Sequence, residues 1–142
     1  MKKILSTLAV VLAITFTMLQ SATAQMKIKV IFTSCPDNCT TQEDCKYRAN
    51  YTIIDKCGEK DSVLCPPDYE EIACENYSNG IQIECGDCSG ATHNPCLLVI
   101  IVLQKICIGP NGTHVVCQAT KQEYHTCEEL LGNQQITFTS WD

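Results

Sequence analysis

Apolar residues crowd one stretch of the chain above all others. Leu97 to Ile108 places nine Leu, Ile or Val residues in twelve positions. Its length and its Val and Ile content predict a strand buried on both faces rather than a helix, and it is too short to cross a bilayer. Gly109-Pro-Asn-Gly112 then reads as a turn, with Thr113 to Cys117 returning as the partner strand. Elsewhere the pattern alternates. Lys27 to Phe32 begins in this way, and Gly80 to Cys85 does so cleanly, placing Ile81 and Ile83 on one face. Tyr51 to Ile54 predicts a short β-branched strand, and Gln135 to Trp141 an edge strand. Glu128 to Leu131 suits one helical turn before Gly132. Gly58, Pro66, Pro67 and many acids predict a loop between Lys56 and Cys74. The expected fold class is all-β and built on hairpins.

The first residues follow a different pattern. Lys2 and Lys3 precede an apolar run from Ile4 to Leu19, and Ser-Ala-Thr-Ala follows at 21–24. A basic start, an apolar stretch of this length and an Ala-x-Ala site predict a secretory signal peptide at residues 1–24, cut after Ala24. Residues 25–142 are then expected to form a single disulfide-rich secreted, extracellular domain, with no membrane span after cleavage. Within it, residues 25–64 are a candidate for a separate N-terminal cysteine-rich segment.

Composition sharpens that picture. Residues 25–142 hold all 12 cysteines and all 16 acids but only eight Lys or Arg, a formal charge of −8. Such acidity argues against a nucleic-acid partner. Leu, Ile, Val and Phe supply only 26 of these 118 residues, near the level where burial alone stops holding a fold together. Cys35, Cys39, Cys45, Cys57, Cys65, Cys74, Cys85, Cys88, Cys96, Cys107, Cys117 and Cys127 are therefore expected to pair as six disulfides in an oxidising compartment. A native bridge adds about 2–5 kcal/mol. Cys85-Gly-Asp-Cys88, with His93 and Cys96 nearby, has metal-ligand spacing. A zinc ribbon needs a second such knuckle, and none exists, so no metal or cofactor is expected. Cys85 and Cys88 also lack the alternating strand and helix context of a thioredoxin-like redox pair.

Four Asn-x-Ser/Thr sequons, at Asn38, Asn50, Asn76 and Asn111, mark candidate glycosylation sites on the surface of an exported protein. Cys39 sits inside the first of them, and Asn111 lies at the tip of the expected hairpin. Nine acids against two lysines between Asp55 and Asp87 give that region a local charge of −7. Such a run steers a basic partner at low salt or simply forms a solvated face. It matches no calcium-loop spacing. Gly86-Asp-Cys-Ser-Gly90 superficially resembles the nucleophile loop of chymotrypsin-like proteases. That fold needs two barrels and an upstream histidine, whereas His93, His114 and His125 all come later. No nucleophile, base and orienting group assemble along the chain, so no catalytic residue and no enzyme activity are expected.

From Cys65 to Cys127 the order of features resembles invertebrate interleukin-17-like cytokines. The matching elements are Cys65-Pro-Pro, Gly80 to Cys88 with its closely spaced cysteines, and Cys96 to Lys105 with its Val-Leu-basic ending. Cys107 with the Gly109–Gly112 hairpin and His114 to Cys127 complete them. Single Cys117 and Cys127 stand where the family usually carries a Cys-x-Cys pair. The resemblance implies a two-hairpin β core, a homodimer and a receptor-binding cytokine. Bridges from Cys85 and Cys88 to the region of Cys117 and Cys127 would accord with it. A cystine-knot-like cytokine architecture is compatible with that likeness, but the Cys-x-Gly-x-Cys element of growth-factor knots is absent.

The expected function is thus binding, as a cytokine-like ligand of an extracellular protein receptor or target. The alternative is a venom or defence protein, either a channel toxin or a protease inhibitor. In the inhibitor reading the loop from Cys57 to Cys65 would offer Lys60 or Leu64 to a protease.

Overall fold

Alternation of inward and outward side chains builds two sheets that share one core. The computed structural model describes residues 24–35, 44–88 and 94–141. β1 (Met26–Phe32) buries Met26, Ile28, Val30 and Phe32 and turns Lys27, Lys29 and Ile31 outward. It is the centre of a three-stranded sheet. β4 (Ile81–Cys85) runs antiparallel on one side of it and β7 (Gln134–Phe138) parallel on the other.

The second sheet is wholly antiparallel. Its order is β3 (Ser62–Ala73), β2 (Asp44–Asp55), β5 (Leu97–Gly109) and β6 (Gly112–His125). A two-residue turn at Pro110 and Asn111 joins β5 to β6, with Gly109 paired to Gly112. Gly112 has φ +103°, a conformation glycine adopts without steric cost.

The inward rows of the two sheets face each other. Tyr47, Ile53, Leu97, Ile101 and Leu103 from the larger sheet meet Ile28, Val30, Ile83 and Ile136 from the smaller, all nearly inaccessible to water. Each such aliphatic side chain contributes about 1.5–3 kcal/mol on burial. At one end Phe32, Tyr47, Tyr77 and Trp141 form an aromatic cluster with ring centroids 4.8–6.2 Å apart. Tyr77 comes from a 3₁₀ segment, Cys74–Asn79. The helix α1 (Cys127–Leu131) seals the core with Leu130. Thr126 caps that helix in both directions. Its hydroxyl accepts from Glu129 N at 3.1 Å, and its own N–H donates to the Glu129 carboxylate at 2.9 Å.

Five disulfides join described residues: Cys35–Cys117, Cys45–Cys107, Cys57–Cys96, Cys65–Cys85 and Cys88–Cys127. Cys74 is also disulfide-bonded, and Cys39 lies outside the described residues. Cys35–Cys117 and Cys65–Cys85 tie one sheet to the other. Of the bridges that the cytokine likeness favours, Cys88–Cys127 is present, whereas Cys85 pairs with Cys65 and Cys117 with Cys35. The structure is mostly β, disulfide-rich and hairpin-based, as the sequence pattern predicts.

Three expectations change. The stretch from Lys56 to Cys74 is not a loop, since Ser62–Ala73 forms β3, paired along β2. β3 is an edge strand, and Pro66 and Pro67 fall where its register against β2 shifts, between the Cys65–Ile53 and Asp68–Tyr51 pairs, an edge irregularity where proline is tolerated. Secondly, β5 is not buried on both faces: Leu97, Val99, Ile101 and Leu103 are buried, while Leu98, Ile100 and Val102 are only half-covered. Thirdly, the segment 25–64 does not stand apart. It supplies the central strand of the smaller sheet and an inner strand of the larger one, and Cys35, Cys45 and Cys57 anchor it to Cys117, Cys107 and Cys96.

Candidate functional site

Strand register decides what the outward face of the larger sheet presents. Val63 of β3 pairs with Ile54 of β2, Ile54 with Leu98 of β5, and Leu98 with Tyr124 of β6. These four side chains form a straight apolar row across all four strands. Its outer members are open to solvent, with Val63 and Tyr124 each 57% exposed. One step along, Thr52, Ile100 and Gln122 form the next row.

Farther from that end the face becomes polar. Asn50 stands between Tyr69 and Val102. Its amide nitrogen donates to Val102 O at 3.3 Å and to Gln104 Oε1 at 3.0 Å, and Gln104 donates onward to Gln118 Oε1 at 2.7 Å. Beyond it, Glu71 accepts from Lys46 Nζ at 2.5 Å and from Arg48 Nε at 2.7 Å. Burial pushes the Glu71 carboxyl up, but the hydrogen bonds and charges of Lys46 and Arg48 outweigh this and hold it below its ordinary value. Arg48 in turn lies over the Tyr69 ring, 4.4 Å from its centroid.

Between Tyr69 and β5 the face dips into a shallow cleft of about 290 Å³, lined by Asn50, Thr52, Pro67, Tyr69, Ile100 and Val102 among others. Behind it on the inward side, the phenol of Tyr51 titrates above its usual value, first through burial and then through the charges of Asp68 and Glu70.

The candidate residues from the sequence scatter. Asn76 and Asn111 are exposed, on the 3₁₀ segment and at the β5–β6 turn, and Asn50 is half-buried on the outward sheet face. Asn38 and His93 lie outside the described residues. Cys85, Cys88 and Cys96 are each consumed by a bridge. Asp55 lies beside Cys57 and Cys96, but those sulfurs are joined to each other, and the Asp55 carboxylate accepts from Cys57 N at 2.7 Å. His114 is exposed on β6. His125 is nearly buried, with Nε2 3.3 Å from Glu123 and Nδ1 3.4 Å from Glu129.

The proposed inhibitor loop divides into two environments. Lys60 is exposed at the β2–β3 tip, where Lys56 and Asp61 form an ion pair, whereas Leu64 is half-buried in β3 and not presented. Cys57 and Cys65 are bridged elsewhere rather than to each other.

The apolar row was missed in the sequence. Its signal was the unbroken apolar run of β5, whose even-numbered members Leu98, Ile100 and Val102 had to emerge somewhere once one face was buried. No helix among the described residues is long and apolar enough to cross a membrane. Compared with models of known protein families, with characterised proteins and with solved structures, the chain matches none.

Proposed function

We propose that this chain is an exported, disulfide-bridged glycoprotein that acts by binding, as a cytokine-like ligand of an extracellular protein receptor. The row Val63–Ile54–Leu98–Tyr124 is its contact surface. The observation that carries this reading is the exposure of Val63 and Tyr124 at the two ends of that row on a bridged sheet. Large apolar groups in register on a water-facing surface mark a place where another macromolecule docks. Bridged strands support it, because a surface already ordered before contact loses less entropy on binding. β6, fourteen residues without proline, ends the larger sheet among the described residues, and its outer edge is where a second copy would add strand to strand in a homodimer.

The test is cell-surface binding of labelled protein with Val63→Lys and Tyr124→Glu variants. Both side chains are more than half exposed, so circular dichroism and thermal unfolding should stay close to wild type. Saturable binding should weaken by about tenfold or more for each, the usual effect of losing a central apolar contact. Unchanged binding by both variants would remove the row from the interface.

A further inference from the structure

The cleft beside Tyr69 is lined by the acceptor residue of a sequon. Asn50-Tyr-Thr52 runs along β2, and both Asn50 and Thr52 line the cleft floor beside Ile100 and Val102. Tyr69, directly opposite Asn50 in the ladder, forms its wall. One face of that ring is occupied by the Arg48 guanidinium, which Glu71 holds in place at 2.6 Å. Arg48 does not line the cleft, and its position over one face of the ring leaves the other face for a second group. Tyr69 is thus fixed in orientation while remaining 51% exposed.

The geometry points to a specific occupant: the first N-acetylglucosamine of an N-linked glycan on Asn50, stacked on Tyr69 and covering Ile100 and Val102. A pyranose has an apolar side of polarised C–H groups, and these are attracted to the negative face of an aromatic ring. Its hydroxyl and acetamido groups then face water and the polar rim of Asp68 and Gln104. This placement rests on the export reading, because the modification requires passage through a eukaryotic secretory pathway.

The covalent step balances without redox chemistry. Asn50 Nδ2 loses one proton and forms a bond to the anomeric carbon of a lipid-diphosphate-linked oligosaccharide. The bond from that carbon to the diphosphate oxygen breaks, and the lipid diphosphate leaves with the electron pair. Transfer precedes folding, and the outward direction of Asn50 lets β2 enter the sheet with the sugar attached. Nδ2 keeps one hydrogen, enough for one of its two acceptors, Val102 O or Gln104 Oε1. The glycan also bounds the free surface. With Ile100 and Val102 covered, the apolar row at the hairpin end remains open.

The experiment uses the full chain secreted from eukaryotic cells, with site occupancy read by glycopeptide mass spectrometry. Asn50 is expected to be occupied. Protein trimmed enzymatically to single N-acetylglucosamine residues should unfold about 3 °C above an Asn50→Gln variant trimmed in the same way. That gain should vanish in a Tyr69→Thr background. Sugar protons on Asn50 should also show upfield ring-current shifts in NMR spectra, a readout that does not depend on any variant folding. Secreted protein modified at Asn76 or Asn111 but bare at Asn50 would overturn the inference and leave the export reading standing. A gain that persists without Tyr69, or unshifted sugar protons, would overturn the stacking. Retention of the chain inside the cell with no sequon modified would overturn both readings.

Discussion

Cys35 and Cys117 are joined from one sheet to the other across 82 residues of chain, with their Cα atoms 6.6 Å apart. Two further bridges, Cys45–Cys107 and Cys57–Cys96, are nested inside this one like rungs. Nesting alters what each rung contributes. With Cys45–Cys107 intact, the chain linking Cys35 to Cys117 in the unfolded state is shortened to about 20 residues. In the chain-entropy account such a loop is worth about 3 kcal/mol, against about 4–5 kcal/mol for a lone bridge spanning 82 residues. Cys35→Ala with Cys117→Ala should therefore cost about 3 kcal/mol in denaturant unfolding. A loss above 5 kcal/mol would show that the bridge acts through native contacts rather than through the unfolded chain.

Glu71 gives the larger sheet an acid-sensitive tie. Its carboxyl sits below its ordinary value of 4.5, burial opposing the shift and Lys46 and Arg48 producing it. A carboxylate with a depressed folded value binds protons more readily when unfolded. Its contribution is complete above about pH 4.5 and is lost as pH falls through the lower folded value. Glu71→Gln should cost about 1–2 kcal/mol at pH 7, with the gap to wild type closing in strongly acidic solution. Urea titrations of the two proteins at pH 7 and at acid pH make the comparison, and a pH-independent gap would assign the loss to packing instead.

How much of this could be read from sequence depended on how strongly each residue type signals. β5 and its turn at Gly109–Gly112 were plain because Leu, Ile and Val crowd the strand and glycine punctuates it. β2 was legible only at Tyr51–Ile54. Its inward positions upstream are Cys45, Tyr47 and Ala49, residues that alternate correctly but carry little hydrophobic contrast with Lys46, Arg48 and Asn50. β3 was hidden by Pro66 and Pro67, which argue against a central strand but not against an edge. The apolar row left only the unbroken apolar run of β5 as its mark in the sequence, and the Asn50–Tyr69 cleft left none. Both exist only through cross-strand register, and the shifts between Tyr51 and Ile54 that set it for β3 leave no mark in composition.

Gly86 turns the chain as it leaves β4, with φ +49°. A Cβ there would lie 2.6 Å from the backbone oxygen of Leu64, a group that cannot swing aside without disturbing β3. Gly86→Ala adds both the left-handed conformation and this collision, for a cost of about 2 kcal/mol or more. Gly58→Ala is the control. It sits at the β2–β3 tip with nothing closer than 3.8 Å, and should unfold within about 0.5 kcal/mol of wild type. Equal midpoints for both variants in guanidinium would contradict the close approach of β4 to β3.

Tyr47 links the polar and apolar parts of the core at one atom. Its ring lies in the cluster with Phe32, Tyr77 and Trp141, and its hydroxyl accepts the buried Cys35 N–H at 3.1 Å. Tyr47→Phe keeps the ring and orphans that N–H, beside a bridge that prevents Cys35 from moving out to water. An unsatisfied buried donor costs about 1–3 kcal/mol. Tyr47→Leu removes the ring as well and should cost about 3 kcal/mol or more. Trp141 is the only tryptophan in the chain and donates its indole N–H to Thr33 O at 2.9 Å, so its fluorescence reports on this cluster directly. Unfolding followed by fluorescence should place the Phe variant between wild type and the Leu variant. A Phe variant as stable as wild type would mean that the Cys35 amide finds another acceptor, and the cluster would then be held by its rings alone.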